Sequence, residues 1–260
     1  MKKQNSIITE VKVIEPKEIV LELKDLSKSF EDNHVLNHFN MKLYKGENLV
    51  IMGKSGAGKS VMIKCLVGLM EADSGTITVM HKDITTLTQE SLDHLRADIG
   101  FLFQGSALYD SMTVRENLEF PLRRHSKKFG KDIDTEALIT EALNNVGLAH
   151  TVDLMPAELS GGMQRRVALA RTLILKPKII LYDEPTSGLD PITAKEIIIL
   201  MQDIQKKYNT SSVIITHDVD CARVIADRMI LLIEGINYAE GTFKELSVSK
   251  DPKIMAFFKQ

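Results

Sequence analysis

The sequence predicts an α/β protein in which helices cover both faces of a mostly parallel sheet. Apolar runs at residues 179–182 and 213–216 are typical of buried strands, and residues 193–208 repeat apolar side chains at helical spacing. A glycine-rich loop joins a strand to a helix within residues 48–67. Strands that alternate with helices pair in parallel, because each helix returns the chain to the same end of the sheet.

The composition is that of a folded globular protein. The chain has 260 residues, of which 44% are hydrophobic and 26% charged, so it is neither disordered nor fibrous. The formal net charge of −2 does not mark a nucleic-acid binder, and we predict no nucleic-acid partner. Cys65 and Cys221 have no disulfide or zinc spacing and are predicted to be reduced core thiols of a cytosolic protein.

Neither a membrane-spanning segment nor a signal peptide is expected. The longest apolar runs, such as residues 197–201 and 229–233, are far shorter than the about 20 residues that a spanning helix needs. No apolar segment follows the charged residues 1–6. We expect residues 1–17 to be a loose leader, and any work at a membrane to be that of a peripheral subunit on its cytoplasmic side.

The most informative motif lies at residues 53–60 and has the pattern G-x-x-x-x-G-K-[ST]. Its glycines let backbone N–H groups turn toward phosphate oxygens, and the following helix adds its positive end. Lys59 can reach the β- and γ-phosphates, and the Ser60 hydroxyl can hold Mg²⁺. A chance match in a flexible loop is the alternative, but the flanking strand and helix argue against it. The motif predicts nucleotide binding and leaves ATP and GTP open.

The remaining elements follow from local patterns. Residues 105–160 are helical in character and are predicted to be an inserted segment. The basic residues Arg123, Arg124, Lys127, Lys128 and Lys131 within it are predicted to be a solvated surface, with a nucleic-acid role as the alternative. Strands are predicted at residues 20–24, 35–43, 76–79 and 98–103, and helices at residues 91–97, 135–146 and 163–175.

Polar side chains follow two of the predicted buried strands. Asp183 and Glu184 come at the end of the strand at residues 179–182, where ligands bind in open α/β sheets. Asp183 can hold the Mg²⁺ that Ser60 touches, and Glu184 can polarise a water for attack on the γ-phosphate. His217 follows the next strand and can contact the γ-phosphate. The other six histidines lack such placement and are predicted to be structural.

A second phosphate site is predicted at Ser160. Its side chain can cap a helix whose first turn exposes the backbone amides of Gly161 and Gly162. One nucleotide hardly needs two separate helix N-termini at its γ-phosphate. We therefore predict that this turn serves a nucleotide held by a second copy of the chain.

These residues together resemble the ATPase subunits of ABC transporters over nearly the whole chain. The sequence around Phe30 leaves two interpretations open, a half-buried core aromatic and an aromatic ring that stacks against adenine. The family resemblance favours stacking against adenine. In the family's terms, residues 53–60 resemble Walker A, residues 179–184 Walker B with its catalytic glutamate, Gln104 the Q-loop glutamine, residues 160–164 the signature, residues 187–190 the D-loop, and His217 the switch histidine.

The resemblance implies the ABC ATPase fold, with a RecA-like P-loop core, an antiparallel β subdomain and an inserted helical subdomain at residues 106–164. The domain is expected at residues 18–250, with a short tail at 251–260. The cofactors implied are ATP and Mg²⁺. The implied catalytic set is Glu184, His217, Gln104 and Lys59, the metal set is Ser60, Gln104 and Asp183, and the cofactor-binding set is Phe30, Gly53, Ser55, Gly56, Gly58, Lys59, Ser60, Val61, Ser160, Gly161, Gly162 and Asp190.

A narrower resemblance lies at residues 101–117, whose F-Q-G-x-A-L-Y-D-S-x-T-V-x-E-N run is similar to the ATPases of Mla-type (MCE-associated, MlaF-like) bacterial lipid transporters. It implies phospholipid transport at the cytoplasmic face of the inner membrane, with an MlaE-like permease and further Mla-type subunits. The alternative is the same motor with another cargo, such as an amino acid, a metal or a drug.

We expect two copies to pack head to tail, with each ATP between the Walker A loop of one and Ser160 of the other. A membrane subunit is expected to dock near residues 105–117, because Leu108, Tyr109 and Met112 are predicted to be exposed there. A repair or translation ATPase is disfavoured because the chain has no coiled-coil or zinc insertion and a single ATPase unit. A binding module without catalysis is disfavoured by Glu184 and His217.

Overall fold

The structure is a computed structural model that describes residues 17–130 and 133–259. Residues 1–16 of the predicted leader and Lys131 of the basic cluster lie outside this part. The strands are β1 (Ile19–Phe30), β2 (Asn33–Tyr44), β3 (Asn48–Met52), β4 (Ser74–Val79), β5 (Lys82–Asp83), β6 (Ile99–Leu102), β7 (Ile179–Asp183), β8 (Ser211–Thr216), β9 (Arg228–Ile233) and β10 (Ile236–Gly241). The helices are α1 (Lys59–Leu66), α2 (Gln89–Arg96), α3 (Val114–Arg124), α4 (Ser126–Phe129), α5 (Thr135–Asn145), α6 (Gly161–Leu173), α7 (Pro191–Tyr208), α8 (Val219–Ile225), α9 (Phe243–Ser247) and α10 (Pro252–Phe258).

A six-stranded sheet in the order β10-β9-β3-β8-β7-β6 forms the centre of the molecule. The β9-β3, β3-β8, β8-β7 and β7-β6 pairs are parallel, and β10 is added antiparallel at one edge. The predicted mostly parallel sheet is therefore confirmed. Because parallel strands end at the same edge of a sheet, the residues after β3, β7 and β8 lie close to one another.

Alternate residues of the central strands face two separate hydrophobic cores. On β3, Val50 and Met52 pack into a core formed with helices α3, α5, α6 and α7, whereas Leu49 and Ile51 pack into a core shared with α1 and the antiparallel strands. All four side chains are buried. Burial of each contributes about 1.5–3 kcal/mol, so both faces of the strand help fix its position.

A second sheet, in the order β2-β1-β4-β5, is antiparallel throughout. This agrees with the expected antiparallel subdomain. Strand β1 runs to Phe30, well beyond the predicted residues 20–24. The apolar alternation breaks after Lys24 because the pairing register shifts there and Asp25 has a φ of 48°. A β-bulge thus hides the second half of the strand from a period-two pattern.

Two further differences concern element ends. Helix α6 begins at Gly161, before the predicted residue 163, because the Ser160 side chain caps the helix and the two glycines form its first turn. The predicted tail contains helix α10, whose Ile254 is buried and whose Phe258 packs edge-on against Phe243 at a ring-centroid distance of 5.4 Å. Within the described ranges, no helix has both the length and the apolar character needed to cross a membrane.

Candidate functional site

The phosphate loop lies between the end of β3 at Met52 and the start of α1 at Lys59. Gly58 caps α1 with a φ of 99°, and a Cβ at this position would lie 2.7 Å from the carbonyl oxygen of Val35. A larger residue would therefore be both strained and in collision with β2. The Lys59 ammonium donates to the carbonyl oxygens of Gly53 and Lys54, at 2.6 and 3.1 Å. The lysine side chain thus bridges the start of its own loop.

Two carboxylates at the end of β7 share the electrostatic field of Lys59. Burial lowers the pKa of Lys59, and the negative charges of Glu184 and Asp183 oppose this effect. Burial also raises the pKa of Asp183, the charge of Glu184 raises it further, and Lys59 lowers it. The charge of Glu184 therefore opposes ionisation of Asp183, and a bound cation would offset that repulsion.

Glu184 and His217 come together at the carboxyl ends of neighbouring strands β7 and β8. Glu184 is only 9% exposed, and its backbone N–H donates to the carbonyl oxygen of Ile215 at 2.9 Å. Its Oε2 lies 2.9 Å from Nδ1 of His217 and accepts from the His217 backbone N–H at 3.3 Å. The φ of Glu184 is 49°, a region that non-glycine residues rarely occupy and that is concentrated at functional sites. The imidazole is exposed.

The turn at Ser160 has a different character. The Ser160 hydroxyl accepts from the backbone N–H of Met163 at 3.2 Å, which confirms the predicted cap of α6. A Cβ added at Gly161 would meet no atom within 4 Å, whereas one at Gly162 would lie 2.6 Å from Cγ2 of Thr193. Among the described residues, no hydrogen bond joins this turn to the phosphate loop of the same chain. The turn is therefore an open helix N-terminus.

Gln104 and Asp190 lie on the segments that follow strands β6 and β7. Gln104 is exposed after β6, and its Nε2 is 3.5 Å from Oγ of Ser187, at the limit of a hydrogen bond. Asp190 caps α7 by accepting from the backbone N–H groups of Ile192 and Thr193, each at 3.1 Å. A cavity of about 690 Å³ lies beside His217 and is lined by Ser187, among other residues.

Phe30 is 45% exposed at the end of β1. The Lys28 ammonium lies 5.7 Å from the centre of its ring and pairs with Asp73 at 2.6 Å. Asp73 also accepts from the backbone N–H of Ser29 at 2.6 Å, so it anchors the residue before Phe30. No local sequence pattern indicates the role of Asp73, because its contact with Ser29 spans 44 residues.

The structure brings Lys59, Asp183, Glu184 and His217 into one cluster, in line with the sequence analysis. Five further residues that the sequence predicts to bind the cofactor lie on the loop or in the first turn of α1: Gly53, Ser55, Gly56, Ser60 and Val61. Phe30 lies apart from this cluster, at the end of β1, and the Ser160 turn lies at the start of α6.

The segment that leads from Gln104 to α3 corrects one prediction. Leu108 and Met112 are half-buried, and Leu108 packs against the helical core, whereas Tyr109 alone of the three is exposed, at 42%. The expectation of three exposed apolar side chains was wrong for two of them. Ser106 and Ala107 have φ values of 62° and 50°, so the left-handed backbone comes immediately before Leu108.

This arrangement of strand, phosphate loop, helix and strand-end carboxylates defines a P-loop nucleotide hydrolase. The chain belongs to the ABC transporter family, whose model matches residues 36–187. ABC ATP-binding cassettes hydrolyse ATP, and this chain is such an ATPase.

Similar proteins include two bacterial ATP-binding proteins. One is a probable ribonucleotide transport ATP-binding protein, mkl, of Mycobacterium leprae, which is 37% identical over 242 residues, or 93% of this chain and 69% of the relative. The other is a methionine import ATP-binding protein, MetN, of Clostridium tetani, which is 39% identical over 242 residues, or 93% of this chain and 75% of the relative.

Solved structures give the same family. A dimer of the ATP-binding cassette MJ0796 in a post-hydrolysis state with ADP and Pi matches with a TM-score of 0.77 and 32% identity, covering 86% of this chain and 98% of that one. The cbiO1 protein of Clostridium perfringens, part of the ABC transporter complex cbiONQ, matches with a TM-score of 0.81 and 30% identity, covering 90% and 92%. These matches confirm the predicted ABC ATPase fold.

Proposed function

We propose that this chain is the ATPase subunit of an importer-type ABC transporter and that two copies enclose each ATP. One copy supplies residues 53–60 and the other supplies Ser160, Gly161 and Gly162. The supporting observation is the contrast between the N-termini of helices α1 and α6. That of α1 lies beside Lys59 and two carboxylates, whereas that of α6 is open, exposed and without a charged neighbour in its cap.

Within each site the residues have separate tasks. Lys59 leaves the carbonyl oxygens of its own loop and binds the phosphates. Glu184 positions the attacking water, and His217, held at 2.9 Å from it, contacts the γ-phosphate. Phe30 stacks against adenine through the exposed part of its ring, beside the Lys28 ammonium. The loop glycines Gly53, Gly56 and Gly58, with Ser55 and Val61, line the phosphates, and Asp190 borders the site of the second copy.

The residues present fit a magnesium ion. Asp183, the Ser60 hydroxyl and the Gln104 side-chain oxygen are the hard oxygen ligands that Mg²⁺ prefers. The raised pKa of Asp183 fits the same interpretation, because a cation would offset the charge of Glu184. When bound, the ion supplies a positive charge that stabilises the transferring phosphoryl group.

An importer is favoured by the relatives, one of which is named for methionine import and another for ribonucleotide transport. We therefore propose a small polar solute as the cargo. The run at residues 101–117 supports a second candidate, phospholipid transport of the Mla type with an MlaE-like permease.

We propose that the permease docks on residues 103–113. Asn117 is fully buried and holds this segment by accepting from the N–H of Tyr109 at 2.8 Å and donating to three carbonyl oxygens. Arg171 donates to the carbonyl of Ser106 and stacks 5.6 Å from the Tyr109 ring. The segment is thus fixed in shape while Tyr109 and Phe103 stay exposed. We also propose residues 106–164 as the helical subdomain of a domain spanning 18–250, and a location at the cytoplasmic face of a bacterial inner membrane.

The cargo can be tested with the complex purified from native membranes and reconstituted in vesicles. An importer will take up labelled methionine or ribonucleotide only with ATP, and the Glu184→Gln complex will not. ATP-dependent transfer of labelled phospholipid without solute uptake would replace the importer with the lipid candidate. Neither activity, with ATPase turnover intact, would exclude both cargo classes.

A further inference from the structure

Arg165 is a buried cation whose hydrogen-bond partners are backbone carbonyl groups. Its residue is 3% exposed, and within the described ranges no carboxylate lies at ion-pair distance from it. One Nη atom donates to the carbonyl oxygen of Phe103 at 2.7 Å, and the other donates to those of Gln104 and Ser187, the latter at 3.3 Å. Nε has no partner among the residues that the structure describes. Burial of an unpaired charge is costly, so an apolar residue would serve packing better.

The three carbonyl groups belong to the two segments that border the chain's own ATP site. Phe103 and Gln104 follow β6, and Ser187 follows Glu184 on the segment after β7. The Gln104 side chain reaches across to the Ser187 hydroxyl at 3.5 Å, so the two segments also meet each other. Arg165 therefore bridges the segment after β6 and the segment after β7, each of which carries a residue proposed above to act at the nucleotide, Gln104 and Glu184.

Arg165 itself lies on α6, five residues after the capping Ser160. Helix α6 is continuous from Gly161 to Leu173, so Arg165 and the first turn belong to the same helical segment. That turn faces the ATP of the other copy in the proposed dimer. The chain thus has a direct path from its own nucleotide to the turn that its partner uses.

We propose that Arg165 is a positioning residue that couples the two ATP sites of the dimer. Occupancy of one site sets the backbone of residues 103–104 and 187, and Arg165 passes that position to the Ser160 turn used by the second site. The effect on the second ATP site rests on the proposed head-to-tail dimer, whereas the contact between Arg165 and the segments at residues 103–104 and 187 lies within one chain. It predicts that ATP hydrolysis is cooperative in ATP concentration and that this cooperativity depends on the fork of donors on Arg165.

The test compares Arg165→Lys with Arg166→Lys in the full chain. Lysine keeps the charge but cannot hold three carbonyl groups in one plane. Arg166 is the neighbouring residue, and it bonds Val146 and Glu196 instead of the two segments. We expect Arg165→Lys to lower kcat about tenfold and to bring the Hill coefficient close to one, with KM nearly unchanged. Arg166→Lys should keep the wild-type Hill coefficient. Wild-type kcat and cooperativity in a folded Arg165→Lys protein would overturn the proposal.

A second measurement does not depend on dimerisation or on how the variant folds. At concentrations where light scattering shows a wild-type monomer, Mg²⁺-ATP should slow amide hydrogen exchange at residues 161–165 about threefold or more. An unchanged exchange rate there would overturn the coupling step. Slowed exchange in the monomer together with no functional pairing of two copies would instead reject the dimer and leave the coupling in place.

Discussion

The two helix N-termini that we propose as phosphate-binding sites differ in how they are built. Helix α1 begins at Gly58 with no side-chain cap, and Lys59 and two carboxylates surround its loop. Helix α6 begins at Ser160, whose hydroxyl caps it, and its first glycine meets no atom beyond the chain's own turn. The first can retain a nucleotide and its metal, whereas the second offers only backbone amides. In the proposed site, the loop at residues 53–60 with Asp183 and Glu184 is thus the charged half, and the turn at residues 160–162 is the open half, which needs a second copy to act on a nucleotide.

The largest expected effect comes from the charged half. We expect Glu184→Gln to lower turnover about a thousandfold, because the amide keeps the shape of the side chain but cannot polarise the water. ATP binding, measured with labelled nucleotide, should persist. The variant should also form a stable ATP-bound dimer, which light scattering would detect by its mass. Turnover close to wild type would remove Glu184 from its proposed role.

The next prediction tests whether the open half acts on another copy. Lys59→Ala disables one half, and Ser160→Asp disables the other, because aspartate still caps a helix but places a negative charge against phosphate. Each variant alone should be inactive. A mixture should regain activity, since one of the two sites in a mixed dimer has both Lys59 and Ser160. No regain in a mixture shown to contain mixed dimers would contradict the shared site.

The local sequence predicts the phosphate loop of the charged half better than the contacts that other strands make around it. Residues 48–67 could be assigned because strand, loop and helix are contiguous, so the motif is local. Glu184 and His217 could each be placed at a strand end, but their 2.9 Å contact depends on β7 pairing with β8, which no local pattern shows.

Long-range and backbone effects account for what the sequence did not predict. Strand β10 escaped prediction because its residues are partly buried without alternation. Leu108 was misjudged because it packs against the helical core, a long-range contact that no local pattern shows. The carbonyl partners of Arg165 lie 22 to 62 residues away from it, which explains why its role became visible only in the structure.

A smaller effect is expected at Gly161, where stability of α6 and activity should respond differently to the same substitution. A methyl group at Gly161 has free space around it, so Gly161→Ala should leave the melting temperature unchanged or slightly raised. The same methyl stands where the phosphate of the second copy would approach, and kcat/KM should fall about tenfold or more. Gly162→Ala is the matched control, because its methyl meets Thr193 at 2.6 Å and should lower the melting temperature. Full activity of Gly161→Ala would mean that nothing approaches this turn.

The smallest expected effect concerns stability at the charged half. Burial and Glu184 raise the pKa of Asp183 in the folded chain above its unfolded value, so the folded chain binds that proton more tightly. Stability from this group is therefore present at low pH and is lost as pH rises through the folded pKa. At neutral pH without metal, Asp183→Asn should raise the melting temperature by roughly 1–3 °C, although it weakens Mg²⁺ binding. The gain should vanish on acidification, when the native carboxyl is protonated too, and it should reverse with Mg²⁺-ATP, which stabilises only the chain that binds it. A variant less stable than the wild type at neutral pH without metal would contradict this prediction. It would show that the ionised Asp183 side chain stabilises the metal-free fold.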